Sequence, residues 1–160
     1  MSVESIRDEV VGELTFRDGW ERQDSIRLFD KVHDITVVFE GEPGERIDDS
    51  QRKAYSAFDS DRDVCFRRAE QALLEYYQGI SAEVRMRLGE TADQLAPLVA
   101  VVADLSSIMT PTHVSFPLDF PDDGRVMGLI LDCTWDPGRG VGVRLVDERV
   151  REVGTQDVIL

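Results

Sequence analysis

Cysteine is scarce in this 160-residue chain, which has only Cys65 and Cys133. Two thiols so far apart build neither a disulfide framework nor a zinc cluster. Each lies in an apolar pattern, so buried free thiols in a reducing cytoplasm are expected. Histidine is equally rare, with His33 and His113 alone. A nucleophilic triad needs a base beside its nucleophile, and neither histidine sits in a Gly-x-Ser-x-Gly setting. Both read as structural or surface residues. No apolar run approaches the roughly 20 residues that span a bilayer. The opening MSVESIRDEVVGEL lacks the basic start and apolar centre of a signal peptide. Lysine is confined to Lys31 and Lys53, every other base being arginine. That bias points to a GC-rich bacterial genome.

Acid is what the chain has in excess: 32 Asp and Glu against 18 Lys and Arg, a formal net charge of -14. Such a balance argues against sequence-independent binding of DNA or RNA, whose affinity comes from neutralising phosphates. It also argues against an anionic membrane surface. The excess is shared almost evenly by the two halves, so neither an acidic tail nor a basic patch separates off. An evenly acidic surface repels anions and attracts a basic protein partner.

The length suits one domain spanning residues 1–160, and no linker, repeat or low-complexity tract divides it. The first third reads as a β-meander. Leu14 and Phe16 alternate with polar neighbours, Asp18-Gly19 marks a turn, and Ile26 with Leu28 and then Ile35, Val37 and Phe39 continue the alternation. Helices follow. Asp48 and Gln51 have capping-box spacing, and Gln51, Ala54, Tyr55 and Phe58 form one stripe. A second helix is expected from a Ser60 cap, through Phe66, Ala69, Leu73, Tyr76 and Tyr77, to a stop at Gly79. Ala82, Val84, Met86 and Leu88 alternate like a strand, although their residue types also favour helix. Pro97 breaks the apolar run Leu95–Val102, and a short helix is expected over Ala103–Met109.

The last fifty residues return to strands. Val114, Phe116 and Leu118 alternate before a Pro121-Asp122-Asp123-Gly124 turn, and Val126–Cys133 is a dense apolar strand, read as central. After a Pro137-Gly138-Arg139-Gly140 turn, Val141, Val143 and Leu145 alternate, and Asp147-Glu148 reverses the chain towards Val150 and Val153. The expected class is α+β: a largely antiparallel sheet, from an N-terminal meander and C-terminal hairpins, with two main helices packed on one face.

Little of this carries chemistry. The glycines at 138, 140 and 142 join two strands, whereas a phosphate cradle joins a strand to a helix. Asp119, Asp122 and Asp123, and Asp132 with Asp136, lack the alternate spacing and closing Glu of a calcium loop. At this net charge, close carboxylates are expected without catalysis. No metal or cofactor is expected. The unusual stretch is Cys133-Thr134-Trp135-Asp136-Pro137-Gly138-Arg139-Gly140-Val141-Gly142-Val143. One reading is a rigid hairpin corner, with Trp135 packed on the sheet and Asp136 capping the turn. The other is an exposed recognition corner, because Trp and Arg are frequent interface anchors. In that reading Trp135, Asp136, Arg139 and Asp132 are the candidate binding residues.

Trp135-Asp136, Gly140-Val141-Gly142-Val143, Val153-Gly154 and Asp157, together with Gly12-x-Leu14-x-Phe16, Trp20, Gln51, Tyr55 and Phe58, resemble an uncharacterised bacterial domain family. The likeness runs from about Gly12 to Leu160. Members often carry Glu-His-Gly where this chain has Gly138-Arg139-Gly140. The resemblance implies a small cytoplasmic α+β protein and no transferable activity; small acidic bacterial proteins of comparable build include immunity partners of secreted toxins, a fold-level analogy. The leading expectation is a non-enzymatic protein-interaction domain, immunity-like, that meets a basic protein. Its rival is a small-molecule-binding or hydrolytic domain with a pocket beside Trp135, Asp136 and Arg139. A homo-oligomer paired through an open sheet edge is a further alternative.

Overall fold

The computed structural model describes residues 4–118 and 124–159. Eight strands form one sheet in chain order: β1 (Ser5–Asp8), β2 (Gly12–Phe16), β3 (Trp20–Leu28), β4 (Lys31–Phe39), β5 (Met109–Phe116), β6 (Val126–Cys133), β7 (Val141–Val146) and β8 (Arg149–Gly154). Each neighbouring pair is antiparallel except β4 and β5, which run parallel from Thr36↔His113 to Phe39↔Phe116. A parallel pair requires a long crossover. Here the crossover contains the helices α1 (Asp49–Ser60), α2 (Arg62–Leu88) and the single turn α3 (Ala92–Leu95). The α+β class and the mostly antiparallel sheet are therefore as expected. The Asp119, Pro121, Asp122 and Asp123 positions of the expected turn lie outside the described residues.

The capping box at α1 forms as its spacing predicts. Asp48 N–H donates to Gln51 Oε1 at 2.8 Å, and Ser50 N–H to Asp48 Oδ2 at 3.1 Å. Gln51 has a second task that the spacing does not show. Its buried Nε2 donates to Glu40 O (2.9 Å) and Phe116 O (2.8 Å), the carbonyls where the parallel pair ends. One side chain thus caps the helix and closes the β4–β5 joint.

The second helix departs from expectation. Ser60 belongs to α1, and Asp61 precedes α2 without a side-chain cap. Gly79 does not stop the helix, which continues to Leu88 and ends at Gly89, with φ 57. Nothing lies within 4 Å of a Cβ built at Gly79, so the glycine costs only the usual loss of about 1 kcal/mol in helix propensity. The strand-like alternation of residues 82–88 is overridden by Ser81 and Val84, which are buried at helical spacing. Over 102–107 the short helix is of the tight 3-10 type. β1 is an addition to the expected meander.

Both two-residue hairpin turns place non-glycine residues at positive φ: Phe29 (55) with Asp30 (63), and Asp147 (49) with Glu148 (63). Positive φ at both positions matches the twist of the flanking strands. Phe29 N–H donates to Glu70 Oε2 at 2.9 Å, which ties the first turn to α2.

β6 feeds two apolar clusters. Met127, Leu129, Leu131 and Cys133 join the main core with Tyr55, Phe58, Leu73 and Tyr77 of the helices. Val126 and Ile130, on its other side, pack with Val146 and Ile159. Glycine permits this second packing: a Cβ at Gly128 would lie 2.0 Å from Ile159 Cγ1, and one at Gly142 would lie 3.0 Å from Thr155 O. The C-terminal turn Gln156–Val158 therefore sits directly on the backbone of β6 and β7.

Candidate functional site

The 133–142 stretch is a corner between β6 and β7. Its turn closes on Asp136 O, which accepts from Arg139 N (3.2 Å), Gly140 N (2.9 Å) and Cys133 Sγ (3.4 Å). Asp136 Oδ2 lies 2.9 Å from Arg139 Nε, so the two candidate charges face each other. Gly140 has φ 60, and a Cβ there would meet Leu131 O at 2.6 Å and Gln156 Nε2 at 2.2 Å. Gln156 occupies that space, donating from Nε2 to Leu131 O and from its backbone N to Arg139 O, each at 3.1 Å. Trp135 is half-buried against Tyr77 of α2, ring centroids 5.0 Å apart. The structure thus brings Trp135, Asp136 and Arg139 to one corner. Asp132 is exposed on the side of β6 away from Leu131 and Cys133, opposite Thr110 of β5.

Both thiols are buried and free. Burial raises the Cys65 pKa and pushes that of Cys133 up to about 11, so neither is a thiolate at neutral pH. His33 Nε2 lies 3.1 Å from Leu28 O, and His113 Nδ1 lies 2.9 Å from Thr112 Oγ1. Among the described residues no group of three His, Cys, Asp or Glu is placed to hold a metal ion.

A cleft of about 620 Å³ opens between β1 and α1, lined by Arg7, Asp8, Glu9, Arg46, Asp49 and Arg52 among others. Its central charges hold the fold together. Burial alone would raise the pKa of Asp8, but the Arg52 guanidinium at 2.7 Å and the amides of Val10 and Val11 lower it below its ordinary value. Arg52 Nη1 also bonds Asp49 Oδ1 at 2.6 Å. That guanidinium is committed to two carboxylates and clamps β1 to α1.

The segment behind the Trp135 corner has the opposite character. Residues 95–99 leave α3 as a loop, and side chains hold four of its carbonyls. Thr134 Oγ1 donates to Leu95 O (2.6 Å), Arg85 Nη1 to Ala96 O (2.7 Å), Tyr77 Oη to Pro97 O (2.6 Å) and Gln78 Nε2 to Val99 O (3.1 Å). A backbone fixed this firmly would be expected to turn its apolar side chains inward. Val99 does so, yet Leu98 is 80% exposed and Val101 54% exposed, and Ala100 and Ala103 are exposed beside them. Tyr77 joins the two regions, with its ring on Trp135 and its hydroxyl on the loop.

Of the residues singled out from the sequence, Trp135 alone reaches this support, through Tyr77, while Asp136 and Arg139 pair with each other. The loop's sequence signal is the apolar Leu95–Val102 run, in which Pro97 marks a break in the helix and not the exposure that follows it. A family model, DUF6985, a domain of unknown function, matches residues 10–160. The chain belongs to the DUF6985 family. No curated protein and no solved structure matches it. No helix among the described residues of this DUF6985 chain is long and apolar enough to cross a membrane. The DUF6985 match covers both the Trp135 corner and the 95–107 segment.

Proposed function

We propose that the chain is a non-enzymatic protein-interaction domain of a bacterial cytoplasmic protein, engaging its partner through the 96–107 segment. The observation that carries this reading is Leu98, 80% exposed on a backbone pinned on both sides. Exposed apolar residues are ordinary when scattered singly; grouped on a rigid loop, they are the usual material of an interface. Ordering the loop before the encounter lowers the entropy cost of binding. The -14 charge favours a partner with a basic surface, in an immunity-like pairing. Burial of both thiols sets cysteine chemistry aside as the alternative.

A small-molecule pocket beside Trp135, Asp136 and Arg139 has less behind it, because Trp135 stacks on Tyr77 and the two charges pair with each other. We also infer that α1 and α2 cover one face of the sheet, which the division of β6 side chains between two clusters supports. An experimental structure with one helix on each face would overturn that inference. Affinity capture from the native host tests the main reading, with the wild type and Leu98→Glu as paired baits. A protein retained by the wild type and lost with the variant is the expected result. Equal capture by both baits, or none by either, overturns it.

A further inference from the structure

Beside Leu98 the surface is notched. A cavity of about 320 Å³ is lined by Pro97, Leu98, Val99, Ala103, Asp104 and Ser107 among others. Its lining is mixed, with Pro97, Leu98, Val99 and Ala103 beside serines and one charged residue, Asp104. The Ser107 hydroxyl donates to the backbone carbonyl of Asp104 rather than to its carboxylate. Asp93, on the same stretch of chain, is already neutralised by Arg85 at 2.6 Å. Asp104 makes no such ion pair among the described residues.

We propose that this notch receives one arginine or lysine side chain of the partner protein. Its aliphatic stem lies along Leu98 and Ala103, and its cationic head meets the Asp104 carboxylate. This rests on the interaction reading above and specifies the chemistry of the partner's anchor. Long basic side chains are built for such a site, with an apolar stem that covers hydrophobic surface and a charged tip that stays at the rim. An acidic side chain would be repelled by Asp104 and by the whole -14 surface. A purely apolar side chain would leave the carboxylate without a counter-charge. Arginine is moreover among the residues that most often anchor interfaces.

Amide-resolved NMR of the full chain tests the notch directly, with Nα-acetyl-arginine methylamide and Nα-acetyl-norleucine methylamide as probes. The arginine probe is expected to shift the amides of Leu98, Val99 and residues 103–107 saturably. Asp104→Asn should weaken it about three- to fivefold, and high salt should act likewise. The norleucine probe, which keeps a stem and lacks the charge, should bind more weakly. Shifts spread over the acidic surface, equal binding of both probes, or an unchanged Asp104→Asn affinity would each overturn the proposal. The paired-bait capture then separates the two readings. Asp104→Arg should reduce capture at least about tenfold. If Leu98→Glu abolishes capture while Asp104→Arg leaves it intact, the interaction surface stands and the cationic anchor falls.

Discussion

The corner at 133–142 and the loop at 95–101 are both rigid, and they spend that rigidity in opposite directions. In the corner, the turn amides, the Asp136–Arg139 pair and Gln156 satisfy one another, while Trp135 lies against Tyr77. In the loop, side chains from α2 and Thr134 hold the carbonyls, and Leu98 and Val101 are left in solvent. Rigidity therefore does not distinguish a structural turn from a presenting one. The direction of the apolar side chains does. Tyr77 makes the two interdependent, because its ring needs the corner and its hydroxyl serves the loop.

Substitutions should separate these roles, and the largest effect belongs to the corner. Gly140→Val forces a β-branched residue to φ 60 and drives its Cβ into Leu131 O and Gln156. A loss of about 3 kcal/mol or more is expected in urea unfolding; a loss below 1 would mean that the C-terminal turn is not seated there. Trp135→Ala removes the half-buried ring and its contact with Tyr77, at a cost of about 2–3 kcal/mol. Amide exchange at Ala96, Leu98 and Val99 should quicken in the same variant, and unchanged exchange would uncouple the two regions.

Tyr77→Phe is milder, about 1 kcal/mol, because it deletes one hydrogen bond to Pro97 O and keeps the ring. It carries a pH signature as well. Burial raises the Tyr77 pKa above its ordinary 10.0, so the folded state favours the protonated phenol. That contribution is complete below pH 10 and is lost as pH rises through the folded-state value. The wild type should therefore lose part of its advantage over Tyr77→Phe at alkaline pH, as parallel denaturation series will read. The smallest stability effect is expected for Leu98→Glu, within about 0.5 kcal/mol, together with loss of the captured partner. A large destabilisation there would show that Leu98 is core after all.

Local devices were legible in the sequence, and distant pairings were not. Asp48 with Gln51 announced the start of α1, the alternation of Ile35, Val37 and Phe39 announced β4, and Asp147-Glu148 announced the last reversal, because each signal lies within a few residues. Gly79 misled because a glycine in a helix and a glycine after one look alike until the next turn is seen to be buried. The parallel joint of β4 with β5 has no local signal at all, since Gln51 reaches Glu40 O and Phe116 O through space. The corner itself was recognised at Trp135, Asp136 and Arg139. Its partner Tyr77 lies on a helix far back in the chain, so the loop they jointly hold was out of reach of spacing arguments.

The strand order has a consequence for how the chain assembles. Seven pairings follow the chain in order, and six of them are antiparallel neighbours joined by short connections. The entropy of bringing remote segments together is thereby concentrated in one seam, between β4 and β5. Among the strand pairings of the described residues it is the one that spans a long stretch of chain, and Gln51 closes it with both bonds.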